Sequence, residues 1–434
     1  MFNKNRVMLK NKVYIIEYEM ISPIALGKDE FIKSIISNKS AEQIVERVNT
    51  DGFPFKKAAE VKKDLTFLYE KEKEVIKKAS KIDRKLELLV AAYWKSKKRL
   101  EPIINILKEE ETGTILGVGS DAIPLEFFEE EIKKYFHMGL DPVPELETYL
   151  NSNSSKINMV NNPYDIHSLY LAEKFKAGAF QKSILTACVS STQAIALGYQ
   201  SILHNEAKVV IAGGTDSLVN LVPLTAFGKL GVIPETATGT ECIPFDLNRN
   251  GTLAGEAAGF VILASEEFVD QNKIKPLGQI MGYGNSLDGY KITAPDPSGV
   301  SMTKAIENAL SNSGLKSSQI DYINAHGTGT RHNDDLELRC IGKALGEDAK
   351  KIPISSTKDR HGHAIAAAGI QELCLLLELM KYDTIPSNLK LKSPCSKDFN
   401  LIRENKKKKI TYALTNNFAF GGINTVLVIK NERI

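Results

Sequence analysis

Short apolar segments alternate with helical segments along this chain of 434 residues, from about residue 180 to its end. "KSILTA" is predicted as a short strand, and "KVVIAGG" and "GFVILAS" as longer, fully buried strands. The helix predicted between the first two spans Ser190–Asn205, with apolar inward positions at Ala194, Ile195, Leu197 and Ile202. This alternation predicts an α/β architecture with helices packed on largely buried sheets.

The second half of the chain repeats the pattern. The predicted strands are "GQIMGYGNS", "DYINAHGTGT", "KIPISST", "ITYALTNN" and "NTVLVIKN", and the predicted helices are Ser301–Ser313, Asp334–Gly346 and His363–Lys381. The recurrence is typical of a duplicated unit, although the two halves share no strong sequence repeat. Because no Pro- or Gly-rich linker divides the chain, we expect one compact unit.

Composition excludes several classes of protein. The formal net charge is only +3, from 56 basic and 53 acidic residues, which gives no reason to expect nucleic acid as a partner. The five cysteines have no CxxC pair and no regular spacing, so neither a disulfide framework nor a zinc site is predicted. Without a signal peptide or a long apolar run, we expect no membrane span and a cytoplasmic protein in a reducing compartment.

The stretch "ILTACVSSTQAIALGYQ" places Cys188 at a corner between a strand and a helix. If the helix begins near Ser190, its positive end and free N–H groups favour a thiolate at Cys188 and lower its pKa. Free cysteine is also among the most buried residue types. The stretch alone therefore leaves a buried structural cysteine as the stronger interpretation, with a nucleophile as the alternative.

Two further corners carry candidate chemistry. In "NAHGTGTRHND", His326 ends a strand and leads into a Gly/Thr loop that is either a ligand cradle or an ordinary connection. In "STKDRHGHAIAAAGIQE", Lys358 lies five residues before His363, which is predicted to open an apolar helix. A histidine there favours a neutral imidazole, and a helix-capping histidine beside a surface lysine is the alternative. Spacing alone does not show that these groups converge.

Five motifs occur in the order of one known family: "TACVSSTQAI", "PFDLNRNGTLAGEAAG", "NAHGTGT", "STKDRHGHAIAAAG" and "NNFAFGGINT". In them the chain resembles a β-ketoacyl-acyl carrier protein synthase of the elongating Cys-His-His type, as in type II fatty-acid and polyketide synthesis. The resemblance implies an α/β fold of the thiolase-like superfamily, a five-layered α-β-α-β-α sandwich with two similar halves. Residues 1–270 would carry the nucleophile, and residues 271–434 the histidines, the lysine and a gating loop.

The resemblance also implies a role for each matching residue. Cys188 would accept an acyl chain and then undergo decarboxylative Claisen condensation with malonyl-acyl carrier protein, giving a 3-oxoacyl-acyl carrier protein. The backbone N–H groups of Cys188 and Phe420 would form the oxyanion hole. His326 and His363 would bind the malonyl thioester carbonyl. The remaining implied residues are Lys358 with Glu256 or Glu372 as its carboxylate partner, Thr328 and Thr330 on the phosphopantetheine arm, and Phe418 and Phe420 in the gate.

The same resemblance implies no metal and no diffusible cofactor, because the substrates travel on the phosphopantetheine arm of an acyl carrier protein. Lys81, Arg84 and Lys85 in "KIDRKLE" would dock that acidic carrier, although a solvated helix face explains them almost equally well. Family members normally form dimers. We therefore expect a homodimer, or a heterodimer with a chain-length factor.

Several positions depart from the family pattern. "IEYEMISP" replaces an early Thr-Gly-x-Gly signature, and four single residues differ from the usual ones, namely Ser191, Asn250, Ala366 and Ala419. Ser191 is expected to crowd the corner after Cys188 or to narrow the acyl channel, and Ala419 to alter gating. A thiolase would carry a second reactive cysteine in the C-terminal loop, and "FAFGGINT" has none. An initiating synthase would have asparagine in place of the second histidine, where this chain has His363, so both alternatives are disfavoured. The remaining alternative is a weakly active or non-catalytic partner subunit of a ketosynthase heterodimer.

Overall fold

The computed structural model describes residues 12–62, 64–65, 72, 83–119, 165–238 and 241–433. Its strands are β1 (Val13–Ser22), β2 (Ala25–Leu26), β3 (Glu42–Ile44), β4 (Lys57–Ala59), β5 (Thr112–Val118), β6 (Phe180–Ile184), β7 (Val209–Ser217), β8 (Ala254–Ser265), β9 (Gly278–Leu287), β10 (Tyr322–Asn324), β11 (Pro353–Ser355), β12 (Thr384–Ile385), β13 (Asn400–Leu401), β14 (Lys406–Lys407), β15 (Tyr412–Phe418) and β16 (Ile423–Asn431). Its α-helices are α1 (Lys28–Ile36), α2 (Arg84–Ile104), α3 (Ile166–Phe175), α4 (Ser190–Leu203), α5 (Leu221–Lys229), α6 (Glu266–Gln271), α7 (Val300–Ser313), α8 (Arg331–Leu345), α9 (Lys358–His361) and α10 (Ala368–Lys381).

Two sets of five strands have the same order and the same directions. In the first set the order is β6-β5-β7-β8-β1, and in the second it is β11-β10-β15-β16-β9. In each set the first three strands run parallel and the last two pair antiparallel. The duplication that the recurring elements indicated is therefore present in the topology, and β1 pairs with β9 where the two sets meet.

Helices pack in three layers around these strands. The helices α4 and α10 contact each other and strands of both sets, whereas α2 and α3 cover the outer face of the first set. On the second set lies α7, and α8 packs beside α7 in the same apolar cluster. Three buried apolar clusters correspond to these contacts, with the largest around α4 and α10. The result is the five-layered α-β-α-β-α arrangement that the resemblance implied.

The helix α4 follows the predicted pattern. It begins at Ser190 and ends at Leu203, close to the predicted bounds, and Ala194, Ile195 and Ile202 are all buried in the central cluster. Leu197 is partly buried against the same cluster. The apolar spacing thus predicted both the helix and the face that it buries.

The helix predicted to open at His363 begins later. The chain forms the short helix α9, then an extended segment through His363, then a 3-10 turn over Ile365–Ala367, before α10 starts at Ala368. His363 instead pairs with Ala254, and its N–H donates to the carbonyl of Leu253 at 2.7 Å. The prediction was wrong because this backbone bridge to β8 competes with helical hydrogen bonding.

Within the part of the chain that the structure describes, we find no helix both long and apolar enough to cross a membrane.

Candidate active site

Cys188 lies on a tight elbow between β6 and α4. The preceding Ala187 has φ of 49°, a left-handed conformation that is uncommon for a residue with a Cβ. A 3-10 turn over Ala187–Val189 then leads directly into the helix. Gly117 of β5 makes room for this corner, because a Cβ at that position would lie 2.4 Å from the carbonyl carbon of Ser190. The elbow holds the thiol just before the N-terminal end of α4.

Burial dominates the acidity of this thiol. Cys188 is only 7% exposed, and burial raises its pKa to about 12. The charge of Lys358 and hydrogen bonds from the backbone N–H groups of Phe420 and Cys188 lower the pKa, but by less than burial raises it. Burial outweighs the lowering expected from N–H groups at the helix end, so Cys188 in the free site is a thiol. The N–H groups of Phe420 and Cys188 both face the Cys188 sulfur.

The two histidines converge on Cys188. His363 Nε2 lies 3.1 Å from the Cys188 sulfur, and the rings of His326 and His363 meet edge to face with centroids 5.3 Å apart. Burial and the charge of Lys358 hold the pKa of both imidazoles well below the usual value, so both are neutral. His363 Nδ1 has no hydrogen-bond partner among the described residues. A neutral imidazole in contact with the thiol can take up its proton.

The loop that carries His326 is held by a buried carboxylate that the sequence interpretation missed. Glu337 of α8 accepts hydrogen bonds from the N–H groups of His326 and Gly327, both at 2.8 Å. Burial raises the pKa of Glu337 to about 7. The available signal was the helical face of "NDDLELR", where Asp334 and Glu337 lie three residues apart and both point inward.

Lys358 is fully buried and lies behind His326. Its ammonium pairs with Glu372 and donates to the carbonyl of His326 at 2.6 Å. It also lies 3.5 Å from His326 Nδ1. Of the two carboxylates predicted as alternatives, Glu372 is the partner. Glu256 is not near Lys358, because it accepts from Arg84 at 2.8 Å and from the Ser217 hydroxyl at 2.8 Å.

The predicted docking residues do not form an exposed basic face. Arg84 is 8% exposed and Lys85 3% exposed, and the guanidinium of Arg84 pairs with Glu256 and Glu87. Lys81 lies outside the described residues. The prediction that Arg84 and Lys85 meet a carrier protein was wrong, because the start of α2 is packed against β8 rather than against solvent.

A cavity of about 380 Å³ opens in front of Cys188. Its lining includes both histidines, Thr328 and Thr330, Asn250, and the predicted gate residues Phe418, Ala419 and Phe420. The ring of Phe420 stacks on Phe227 of α5 with centroids 6.4 Å apart. The two threonine hydroxyls are 2.9 Å apart in the cavity wall, where they can hydrogen-bond a polar ligand.

The departures from the family pattern fit the structure without strain. Ser191 is fully buried and accepts from the N–H of Ile370 at 3.1 Å, so it does not line the described cavity. Its space comes from Gly214, where a Cβ would lie 2.6 Å from that of Ser191. Ala419 has an extended backbone, which any residue adopts, and the N–H of Ala366 donates to Asp216 at 3.0 Å.

The sulfur of Cys188 and one nitrogen from each histidine all lie within 4.8 Å of one another. Such a set could also hold a soft metal ion. The chemistry that the site can perform with its own groups is nucleophilic attack by sulfur, proton transfer to imidazole, and stabilisation of a developing oxyanion by two N–H groups.

Two family models match the chain. The N-terminal domain of beta-ketoacyl synthase matches residues 10–268, and the C-terminal domain of beta-ketoacyl synthase matches residues 277–392. The chain belongs to the β-ketoacyl synthase family. Among β-ketoacyl synthases, the 3-oxoacyl-[acyl-carrier-protein] synthase 2 of Coxiella burnetii is 29% identical over 432 residues, which cover 98% of this chain and 99% of that protein.

Solved β-ketoacyl synthases share the fold. A chain of the AntDE:AntF assembly, a type II polyketide acyl-carrier protein in complex with its ketosynthase, aligns with a TM-score of 0.79 at 23% identity, covering 97% of this chain and 99% of that one. A chain of the complex between the ketosynthase ApeO and its chain length factor ApeC from Xenorhabdus doucetiae aligns with a TM-score of 0.76 at 24% identity, covering 98% of this chain and 100% of that one. These likenesses confirm the fold.

Proposed function

We propose that this β-ketoacyl synthase catalyses the decarboxylative condensation of an acyl chain on Cys188 with a malonyl unit on an acyl carrier protein. The observation that carries the proposal is the contact of 3.1 Å between His363 Nε2 and the Cys188 sulfur in the lining of the cavity. His326 and the buried Lys358 complete the site behind that contact. A 3-oxoacyl-acyl carrier protein is the product.

In the first half of the reaction, the Cys188 sulfur attacks the carbonyl carbon of an acyl thioester. Its proton passes through the adjacent His363 nitrogen to the departing pantetheine thiolate, so that one thioester replaces another. The N–H groups of Cys188 and Phe420 stabilise the tetrahedral oxyanion. Because the free group is a thiol, proton removal is coupled to attack rather than preceding it.

In the second half, His326 and His363 bind the thioester carbonyl of the malonyl unit. The bond to the carboxylate breaks, carbon dioxide leaves, and the electron pair forms an enolate. The enolate carbon attacks the acyl carbonyl on Cys188, and collapse of that adduct expels the sulfur. Because their pKa values are low, both imidazoles are neutral, so each can donate a hydrogen bond to the carbonyl without first losing a proton.

The proposed partner is an acyl carrier protein, and Thr328 and Thr330 are the proposed contacts of its pantetheine arm. The curated relative from Coxiella burnetii is named for a carrier-bound product, and the AntDE:AntF assembly contains a carrier protein. The proposed reaction uses no metal or diffusible cofactor, because loss of carbon dioxide supplies its driving force. The same proposal divides the chain into two halves, residues 1–270 and 271–434. It also includes assembly as a homodimer, or as a heterodimer with a chain-length factor, as ApeO assembles with ApeC.

Acylation of Cys188 tests the first half. Intact-mass measurement after incubation with acyl-carrier protein should show the acyl mass on the wild-type chain and no added mass on Cys188→Ala. Acylation of the Cys188→Ala chain would contradict the assignment. A chain that never becomes acylated would support the alternative of a non-catalytic partner subunit.

Release of carbon dioxide from malonyl-carrier protein tests the second half. His326→Ala and His363→Ala should each slow decarboxylation by about 100-fold or more, within the range for general acid-base groups, while acyl transfer is partly retained. Undiminished carbon dioxide release by both variants would overturn the role of the histidine pair.

A further inference from the structure

A second chain of hydrogen bonds reaches the site from the side of the nucleophile helix. The hydroxyl of Thr192, one turn after Cys188 on α4, donates to Asn417 Oδ1 at 2.5 Å. Asn417 Nδ2 then donates to Glu372 Oε2 at 2.7 Å. Thr192, Asn417 and Glu372 are each at most 1% exposed, so water does not compete for these contacts.

The carboxylate of Glu372 and the hydroxyl of Thr192 together set which way the amide of Asn417 points, because the carboxylate only accepts and the hydroxyl then donates to the amide oxygen. An amide has an acceptor oxygen on one side and a donor nitrogen on the other. With the Thr192 hydroxyl donating to the oxygen, the amide nitrogen must face Glu372. The reverse orientation would place two acceptor oxygens against each other, at Asn417 and at the ionised carboxylate of Glu372.

Glu372 accepts hydrogen bonds both from Lys358 and from the oriented amide of Asn417. Burial raises the pKa of Glu372 by more than Lys358 and the amide of Asn417 lower it, so these two contacts are what favour the charged form. Lys358 and Glu372 form a buried ion pair, which is stable only while both members are charged.

The ammonium fixes the proton on His326. An ammonium has only donors, and Lys358 Nζ lies 3.5 Å from His326 Nδ1, so that nitrogen must be the acceptor. The proton of the neutral ring is then on Nε2, the nitrogen available to a ligand in the cavity that His326 lines. A neutral ring of the other tautomer would present no donor to a substrate carbonyl.

We infer that Thr192 and Asn417 are positioning residues that hold the proton of His326 on the nitrogen available to the substrate. The inference rests on the proposed function, in which that nitrogen donates to the malonyl carbonyl. Gly369 of α10 supports it independently, because a Cβ there would lie 1.9 Å from the Thr192 hydroxyl oxygen. The absence of a side chain at Gly369 leaves the hydroxyl the space that the contact needs.

Thr192→Val and Thr192→Ser test the inference, since valine keeps the shape and serine keeps the hydroxyl. We expect Thr192→Val to lower kcat for malonyl-carrier decarboxylation at least tenfold with an unchanged KM, and to change its pH profile. Thr192→Ser should stay within about threefold of the wild type. Acylation of Cys188 should stay within about threefold in both variants, because it does not use His326.

A matched control is Thr112→Val, which removes a buried hydroxyl that donates to the carbonyl of Lys108 at 2.7 Å, on β5 and outside the cavity lining. It should leave both half-reactions unchanged. Equal rates for Thr192→Val and Thr192→Ser would overturn the inference. So would a parallel loss of acylation and decarboxylation in Thr192→Val, which would indicate a general packing defect.

Nitrogen chemical shifts of ¹⁵N-labelled histidine test the tautomer without any activity, with His326 assigned by comparison with His326→Ala. The wild type and Thr192→Ser should show the proton on Nε2, and Thr192→Val a mixture of tautomers. The same Nε2 tautomer in all three chains would overturn the inference. A wild type that shows the Nε2 tautomer but no condensation would instead contradict the proposed function alone.

Discussion

Asp359 shows how one buried carboxyl ties stability to pH at the residue scale. It lies next to Lys358 in the sequence and is fully buried, and burial raises its pKa to about 6 although Arg360 and Lys390 act to lower it. One carboxylate oxygen accepts from the N–H of Leu389, and the other has no hydrogen-bond partner among the described residues. An amide can therefore replace the carboxyl without losing a contact.

We predict that Asp359→Asn removes a loss of stability that the wild type suffers as pH rises. Below the unfolded pKa near 3.8 both states hold the proton, and between that value and about 6 only the folded state does. The free energy of unfolding of the wild type should fall by about 2–3 kcal/mol relative to Asp359→Asn between pH 4 and 7. Urea unfolding at several pH values measures the difference, and a constant difference across that range would contradict the raised pKa.

Ala419 restricts the loop that carries Phe420. Its N–H donates to the carbonyl of Ile423 at 2.9 Å, and it lines the cavity next to Phe420. We predict that Ala419→Gly speeds alkylation of Cys188 by iodoacetamide a few-fold, because glycine widens the conformational range of the loop, and lowers stability by about 0.5–1 kcal/mol.

Ala366→Gly is the matched control for that change, since Ala366 is buried in the same region but outside the gate segment. It should leave the alkylation rate of Cys188 unchanged. Equal acceleration by both substitutions would show that general loosening, and not the gate, sets access to the thiol.

At the scale of elements, the start of α2 is fixed to β8 through one buried ion pair. Arg84 donates to Glu256 at 2.8 Å and to the carbonyl of Val61 at 2.9 Å, so the helix, the strand and the segment after β4 meet at one guanidinium. Stability depends strongly on this pair because it is buried. Without Arg84, the buried carboxylate of Glu256 would have no counter-charge.

We predict that Arg84→Met lowers the free energy of unfolding by about 3 kcal/mol, the usual result of removing one partner of a buried pair. The KM for carrier protein should not change, because the side chain does not reach solvent. Lys98→Met on the exposed face of the same helix should change stability by less than about 0.5 kcal/mol. A selective rise in KM for the carrier in Arg84→Met would restore the docking interpretation.

At the scale of the whole molecule, the two strand sets share one core. Val210 of the first set and Leu427 and Ile429 of the second lie in the same buried cluster around α4 and α10. The single tryptophan of the chain, Trp94, lies on α2 at the outer face of the first set. The fluorescence of Trp94 in the first half can therefore report the effect of a core substitution in the second half.

We predict that Leu427→Ala shifts the unfolding transition followed by Trp94 fluorescence together with that followed by circular dichroism, with a loss of about 2–5 kcal/mol. A shared core makes the halves unfold as one unit. Leu247→Ala, at a side chain that is 61% exposed, should leave both transitions in place. An unfolding transition followed by Trp94 that is the same in Leu427→Ala as in the wild type would show that the halves unfold independently.

The sequence by itself determined the elements and the identities of the central groups. Apolar spacing predicted α4 and the long strands because helical and strand periods are local properties of the chain. The corner motifs placed Cys188 and His326 at strand ends, and predicted His363 at the start of a helix that in fact begins at Ala368. Matching motifs added the family and the two similar halves, both of which the comparisons and the topology confirm.

Only the tertiary structure decided the partners, because pairing depends on burial and on residues far apart in sequence. Arg84 and Glu256 are 172 residues apart, and Thr192 and Asn417 are 225 apart. Charge and spacing made Arg84 a plausible surface residue and left Glu256 and Glu372 equivalent as partners of Lys358. Packing against β8 gave Glu256 to Arg84 and left Glu372 to Lys358. Pairing with β8 also moved the start of α10 past His363. In each case a buried polar group takes the partner that the fold brings within reach.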